Sequence, residues 1–191
     1  MINIDNPVLP VEKEAINWIE RHIKPGMKVF EYGSGSSTVY FSRRVKEVIS
    51  VECYKHVYNE NRRIFDTSAF HIVSNKLLHN KLIEPTVDPR PFPYSHESYN
   101  STVESFAGFS FKDFVESING WGNEYFDLVF INGRARSSCI RTAVPKIKPG
   151  GFLILNNSDK YEYQDAIEIF LKKYPHQSFG GGIGKTGIYT L

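Results

Sequence analysis

Val29-Phe30-Glu31-Tyr32-Gly33-Ser34-Gly35-Ser36-Ser37-Thr38 is the stretch whose reading decides the fold. Met27 to Tyr32 reads as a short buried strand that runs straight into a Gly-x-Gly turn, and the segment from Ser37 to about Arg44 reads as helix, with Ser36 or Ser37 as its cap. Glycines let such a turn be tight and let a ligand approach bare backbone, while the following helix points free N–H groups at it. A lone Gly-x-Gly is also found in plain strand–helix turns, so the surrounding chain has to carry the argument.

Upstream, Val11, Ala15, Ile19 and Ile23 recur every four residues and predict a helix from about Val11 to Ile23, stopped by Pro25-Gly26. Downstream, Val48 to Val51 is a second apolar strand ending at Glu52, followed by a helix from about Lys55 to Phe65 and a third strand at Phe70 to Val73. Asn75 to Gly108, with Pro85, Pro89, Pro91 and Pro93, is expected to be irregular. Phe111, Phe114, Val115 and Ile118 have helical spacing behind a Ser110–Asp113 capping box. Asp127 to Ile131 is a strand closed by Asn132-Gly133. Ile140, Ala143, Val144 and Ile147 mark a helix beginning near Ser138, and Pro149-Gly150-Gly151 turns the chain into the strand Phe152 to Leu155. A last long helix runs from Tyr163 to Tyr174 behind an Asp159–Glu162 box, and two short strands lie around Ser178-Phe179 and Gly187 to Thr190. Strands alternating with helices imply an α/β fold with a parallel sheet covered on both faces. There is no internal repeat and no domain boundary.

The 191 residues suffice for one well-packed domain, and 41% hydrophobic with 23% charged residues argues against disorder. With 23 Lys+Arg against 21 Asp+Glu, the net charge of +2 exerts no general pull toward nucleic acid or an anionic membrane. Two cysteines, Cys53 and Cys139, make no disulfide framework and point to a reduced, cytoplasmic setting. No apolar run has membrane-spanning length, and the first residues do not read as a signal peptide. A homodimer is the default expectation for such an enzyme-sized chain.

In open α/β sheets ligands bind beyond the carboxyl ends of the strands. Glu52 ends the second strand 21 positions after Glu31, the spacing at which a carboxylate reaches a ribose diol. Gly-x-Gly and this acid together fit a nicotinamide dinucleotide or S-adenosylmethionine. The dinucleotide fingerprint wants a third glycine where Thr38 stands. Glu31 is also two residues before Gly33, and a carboxylate about 6 Å from a pyrophosphate charge is repelled by about 3 kcal/mol at an effective dielectric of about 20. The same carboxylate attracts the ammonium of a methionine moiety, directly or through water. The charge pattern favours S-adenosylmethionine.

The glycine stretch resembles the first motif of the class I S-adenosylmethionine-dependent methyltransferases. Val48 to Glu52 resembles their second motif. Phe126 to Arg134 resembles the fourth-strand motif of a poorly characterised bacterial branch, and Lys148-Pro149-Gly150-Gly151 with Phe152 to Asn156 resembles the usual fifth-strand segment. The resemblance covers nearly the whole chain except Asn75 to Gly108. It implies a single Rossmann-like, doubly wound domain with a seven-stranded, mostly parallel sheet whose last strand is antiparallel. It also implies that Glu31 and the loop Tyr32, Gly33, Ser34, Gly35, Ser37 and Thr38 hold the methionine portion, that Glu52 holds the ribose, and that the adenine lies near Phe111; Cys53, which follows Glu52, is expected to line the ribose pocket. The activity implied is methyl transfer; the resemblance says little about the acceptor, which is expected to be a small molecule.

The fourth strand of that family usually ends in Asp-Gly, and the fifth often in Asp-Asn; here they end Asn132-Gly133 and Asn156-Asn157. Hard cations prefer carboxylate oxygens, so two amides argue against a magnesium site. Asn132 remains a candidate for cofactor contact or substrate orientation, and its missing charge leaves open a catalytically degenerate binding module. Methyl transfer can proceed largely by positioning. Where a base is needed, His79, His96, Tyr94 and Tyr99 are the candidates. Arg134 and Arg136 precede a helix whose dipole opposes them, so each requires a partner, either a protein carboxylate or an anionic substrate. Gly180 to Thr186 lacks the spacing of a phosphate loop, since its first required glycine falls on Phe179, and reads as a hairpin bordering the substrate.

Overall fold

The computed structural model describes residues 6–66, 77–89, 94–181 and 184–191. Among these the strands are β1 (Lys28–Tyr32), β2 (Glu47–Glu52), β3 (Leu77–Leu82), β4 (Thr86–Val87), β5 (Phe109–Ser110), β6 (Phe126–Ile131), β7 (Ile147–Leu155), β8 (His176–Phe179) and β9 (Thr186–Thr190). The helices are α1 (Lys13–His22), α2 (Ser36–Ser42), α3 (Lys55–Phe65), α4 (Lys112–Glu116), α5 (Arg136–Ala143) and α6, which is α-helical over Gln164–Ala166 and continues as a π-helical turn over Ile167–Leu171.

Seven strands form one sheet in the order β3-β2-β1-β6-β7-β9-β8. The first five are parallel, and β9 runs antiparallel to both β7 and β8. Parallel strands covered on both faces must be apolar on both. In β1, Phe30 and Tyr32 pack with Ile49, Val51, Phe114, Ile118, Val129 and Ile131 on one face, while Val29 joins Val48, Leu128, Phe130, Ala15, Ile19 and Phe41 on the other. Glu31 shares that second face by alternation, which buries a carboxylate between the sheet and α2.

Several expectations are corrected. The strand anticipated at Phe70 to Val73 lies outside the described residues; the third parallel strand is β3, paired along the whole of β2. Its polar His79 and Lys81 are tolerated because β3 ends the sheet's strand order, so Asn75 to Gly108 contains regular structure after all. The Ser110–Asp113 box does not form: Phe111 is the N-cap of α4, and Ser110 Oγ accepts only the Lys112 N–H, at 3.3 Å. Asp159 does not cap α6 either, because its carboxylate accepts the N–H groups of Gly184 (3.2 Å) and Lys185 (2.8 Å) and so fastens the β8–β9 turn. α5 starts at Arg136 rather than near Ser138, and Ile147 belongs to β7, which runs through Pro149-Gly150-Gly151 with a register shift opposite Phe126 and Leu128.

Candidate functional site

The strand register decides which residues meet. Tyr32 pairs with Val51 and Ile131, and Ile131 pairs with Leu155, so Gly33, Glu52, Asn132 and Asn156 emerge at one level. Strand order reverses between β1 and β6. There the two loops meet backbone to backbone: Gly33 has φ +94°, and a Cβ on it would lie 3.0 Å from Gly133 Cα. A Cβ on Gly133 would lie 2.8 Å from the Phe114 ring and 3.1 Å from Tyr32 backbone. Both glycines are therefore required by close approach. Gly33, Ser34, Gly35 and Ser36 stay half-exposed above this contact.

Glu31 lies beneath the loop and is closed to solvent. Its carboxylate accepts hydrogen bonds from the hydroxyls of Ser37, Thr38 (2.5 Å) and Ser50 (2.9 Å), and the Thr38 hydroxyl also accepts the Gly35 N–H at 2.9 Å. Direct contact with a ligand ammonium is thus replaced by an indirect role: Glu31 anchors the loop through Ser37 and Thr38, whose side chains are themselves buried. Burial raises the Glu31 carboxyl from about 4.5 to about 7, against the three hydroxyls that lower it and with a smaller upward push from Glu52. The folded chain holds this proton more tightly than the unfolded chain does. The corresponding stability is fully present below about pH 4.5 and is lost as pH rises through about 7, a difference of about 3 kcal/mol. Urea unfolding at about pH 5 and about pH 8 checks this: the stability of Glu31→Gln relative to wild type should rise across that interval by most of this amount, and an unchanged gap would contradict it.

Glu52 is 3% exposed. Oε1 accepts the N–H groups of Cys53 (2.8 Å) and Tyr54 (2.9 Å), and Oε2 accepts the Ser34 N–H (2.9 Å) and hydroxyl (3.2 Å). Asn61 Nδ2 donates to the same Ser34 hydroxyl at 2.7 Å. The two backbone donors fix the carboxylate at the strand end, facing the glycine loop. Cys53 is buried in the core, and burial pushes its thiol pKa upward, so its side chain is a packing element.

Two further expectations change. Tyr32 is fully buried and donates its hydroxyl to Val115 O at 2.7 Å; only its carbonyl reaches the site, accepting the Asn132 N–H at 3.0 Å. Phe111 is fully buried too, against Phe106 and Phe114 at 5.1 and 6.2 Å between ring centres, so it offers no surface to an adenine. The aromatic groups that border the site are ones the sequence reading missed. Tyr54 follows Glu52 by two residues, and its ring lies 5.2 Å from that of Phe106. Arg134 Nε donates to the Tyr54 hydroxyl at 2.6 Å, so a side chain from the end of β6 reaches across β1 to the end of β2.

Asn132 and Asn156 pair with each other: Asn156 Nδ2 donates to Asn132 Oδ1 at 2.8 Å and to Pro10 O at 2.9 Å. Two carboxylates could not make that bond. Arg136 is 8% exposed, and its guanidinium is satisfied by backbone carbonyls. Nε donates to Gly133 O (3.0 Å), Nη2 to Asn132 O (3.0 Å) and Oδ1 (3.3 Å), and Nη1 to Asn156 O. One guanidinium thereby ties the ends of β6 and β7 together.

The base candidates are engaged locally. Tyr99 donates to Glu116 (2.7 Å), Tyr94 pairs with Ser137 (3.1 Å), and His96 Nδ1 sits 2.8 Å from Asp165. His79 lines a cleft on the opposite side of β2 from the glycine loop's helix, with Ile49, Val51 and Trp121. A cavity of about 290 Å³ opens among Tyr94, Ser98, Asn100, Ser101, Phe106 and Phe109. Its segment is held on the first turn of α5, where the Tyr99 N–H donates to Ser138 Oγ at 3.3 Å. Among the described residues no helix is long and apolar enough to cross a membrane.

No protein-family model and no curated protein matches the chain. Solved structures do. A methyltransferase-like protein from Silicibacter pomeroyi superposes with a TM-score of 0.64 at 16% identity, over 98% of this chain and 90% of that one. A provisionally named methyltransferase from Streptococcus mutans, solved in complex with SAH, gives 0.62 at 13% identity over 100% of both chains. An rRNA methylase from Streptococcus thermophilus gives 0.61 at 10% identity, over 96% and 98%. With its strand order and single antiparallel strand, the chain has the fold of the class I S-adenosylmethionine-dependent methyltransferases.

Proposed function

We propose that the protein transfers a methyl group from S-adenosylmethionine to a small molecule. The observation that carries this reading is Glu52: an acceptor-only carboxylate held at the end of β2 by two backbone N–H groups and aimed at a glycine loop. It fits a ribose diol, which supplies two O–H donors and takes the place of both Ser34 contacts on Oε2, the hydroxyl and the N–H. The acid buried under the loop, Glu31, suits a ligand of positive charge above it better than a pyrophosphate. Thr38, which replaces the third dinucleotide glycine, has its side chain tied to Glu31, which speaks against an NAD(P)-dependent oxidoreductase.

S-adenosylmethionine, when bound, supplies an already activated methyl group, so this chain's residues have to bind, orient and exclude water. Glu52 would hold the ribose, the Gly33–Gly35 backbone would border the methionine portion, and the Asn132–Asn156 pair would form the floor beside it. The cavity beside Phe106 lies at the lower end of the size range of small-molecule sites, about 300–1,000 Å³, which supports a small acceptor. A non-catalytic cofactor-binding module is the second reading, favoured by the amide pair that stands where the resembled family carries acids. Calorimetric titration with SAH, followed by transfer of labelled methyl groups to an acceptor panel, tests both. Binding with transfer supports the enzyme, binding without transfer to any acceptor supports the module, and no binding removes both.

A further inference from the structure

Arg134 and Arg136 stand two residues apart and are used in opposite ways. Arg136 spends its guanidinium on the carbonyls of β6 and β7. Arg134 is half-buried and gives only Nε to the protein, to the Tyr54 hydroxyl. Its guanidinium carbon lies 5.3 Å from the Tyr54 ring centre and 6.0 Å from that of Phe106. Among the described residues no carboxylate comes within 4.0 Å of it, and Nη1 and Nη2 make no hydrogen bond. The fork is therefore oriented through Nε, lined by aromatic rings, and left with two terminal donors. It also stands before the N-terminus of α5, where the helix dipole adds positive potential, beside the second cation Arg136. A planar oxyanion is the group that such a fork accepts.

Phe106, which Arg134 approaches on one side, is also a wall of the cavity of about 290 Å³. The other walls include Tyr94, Ser98, Ser101 and Asn100, whose polar groups are engaged within the chain. Among the described residues that line the cavity none is a cation, and the described cation beside Phe106 is Arg134.

We infer that the acceptor is a small molecule carrying an oxyanion, a phosphate or a carboxylate, with the anion on the Arg134 fork and the uncharged part in the cavity beside Phe106. Its role as acceptor rests on the methyl-transfer reading; the anion site itself does not. Glycerol, glycerol phosphate and glycerate are matched probes for calorimetry or NMR titration at low salt. The two anions are expected to bind at least about tenfold more tightly than glycerol, and the tighter of them identifies the group. Arg134→Gln abolishes the preference, Arg134→Lys retains part of it, and Tyr54→Phe, which removes only the oxygen that orients Nε, lowers it by a smaller factor. Thermal melts establish that each variant is folded. No binding by either anion, equal binding of all three probes, or a preference that survives in Arg134→Gln overturns the inference. SAH titration of the same wild-type sample is read separately: anion preference without SAH binding leaves the Arg134 site and removes the methyl-transfer reading, and SAH binding without anion preference does the reverse.

Discussion

Exchange of Arg136 for methionine is expected to destabilise the fold by about 3–5 kcal/mol, because the carbonyls of Asn132, Gly133 and Asn156 lose a shared, buried donor. Methionine matches the length of the side chain and limits the cavity left behind, so most of the loss is the unsatisfied acceptors rather than packing. At about 2–4 °C per kcal/mol for a chain of this size, the melting temperature falls by about 6–20 °C. Arg136→Lys keeps the charge but presents one point donor where three chain positions need a fork, and recovers less than half of the loss. Chemical unfolding of the three proteins checks this. A lysine variant as stable as wild type would show that Arg136 is held for its charge and not for its geometry.

The second large effect is on ligand affinity. In Glu52→Ala the ribose loses an acceptor that forms two charge-assisted hydrogen bonds, each worth about 1.5–3 kcal/mol, so the Kd for SAH rises by about a hundredfold or more. The same change orphans the N–H groups of Ser34, Cys53 and Tyr54, so stability falls as well. Ser34→Ala separates the two effects. It removes the hydroxyl that competes for Oε2 while keeping both backbone contacts on Oε1, and SAH affinity is then retained or slightly improved. Equal losses in Glu52→Ala and Ser34→Ala would mean that the loop, and not the carboxylate, governs binding.

What could be read from the chain was whatever has a local signature. β1 and β2 are apolar on both faces and run into Gly33 and Glu52, so their strand ends were visible at once. The helix Lys55–Phe65 was visible from its bounds alone. β3 was not, because His79, Asn80 and Lys81 break the apolar pattern, and the end position in the sheet allows His79 and Lys81. Glu31 looked like a ligand contact because a carboxylate beside a glycine loop usually needs an outside partner. Its partners Ser37, Thr38 and Ser50 become visible only when β1, β2 and α2 are placed in register. Ser50 could have been suspected, since it occupies the residue of β2 directly opposite Glu31. The Arg136 clamp had no such clue: its acceptors are backbone carbonyls, which every residue has. Tyr54 and Phe106 meet only through the packing of a segment that proline content had marked as irregular.

The measurement that bears most directly on the whole account is a crystal structure with SAH. The ribose diol is expected on Glu52 Oε2 in place of the Ser34 hydroxyl and N–H, with the methionine portion along the Gly33–Gly35 backbone and Glu31 still buried beneath Ser37 and Thr38. A ligand bound elsewhere, with Glu52 still holding Ser34 and the glycine loop untouched, would contradict it.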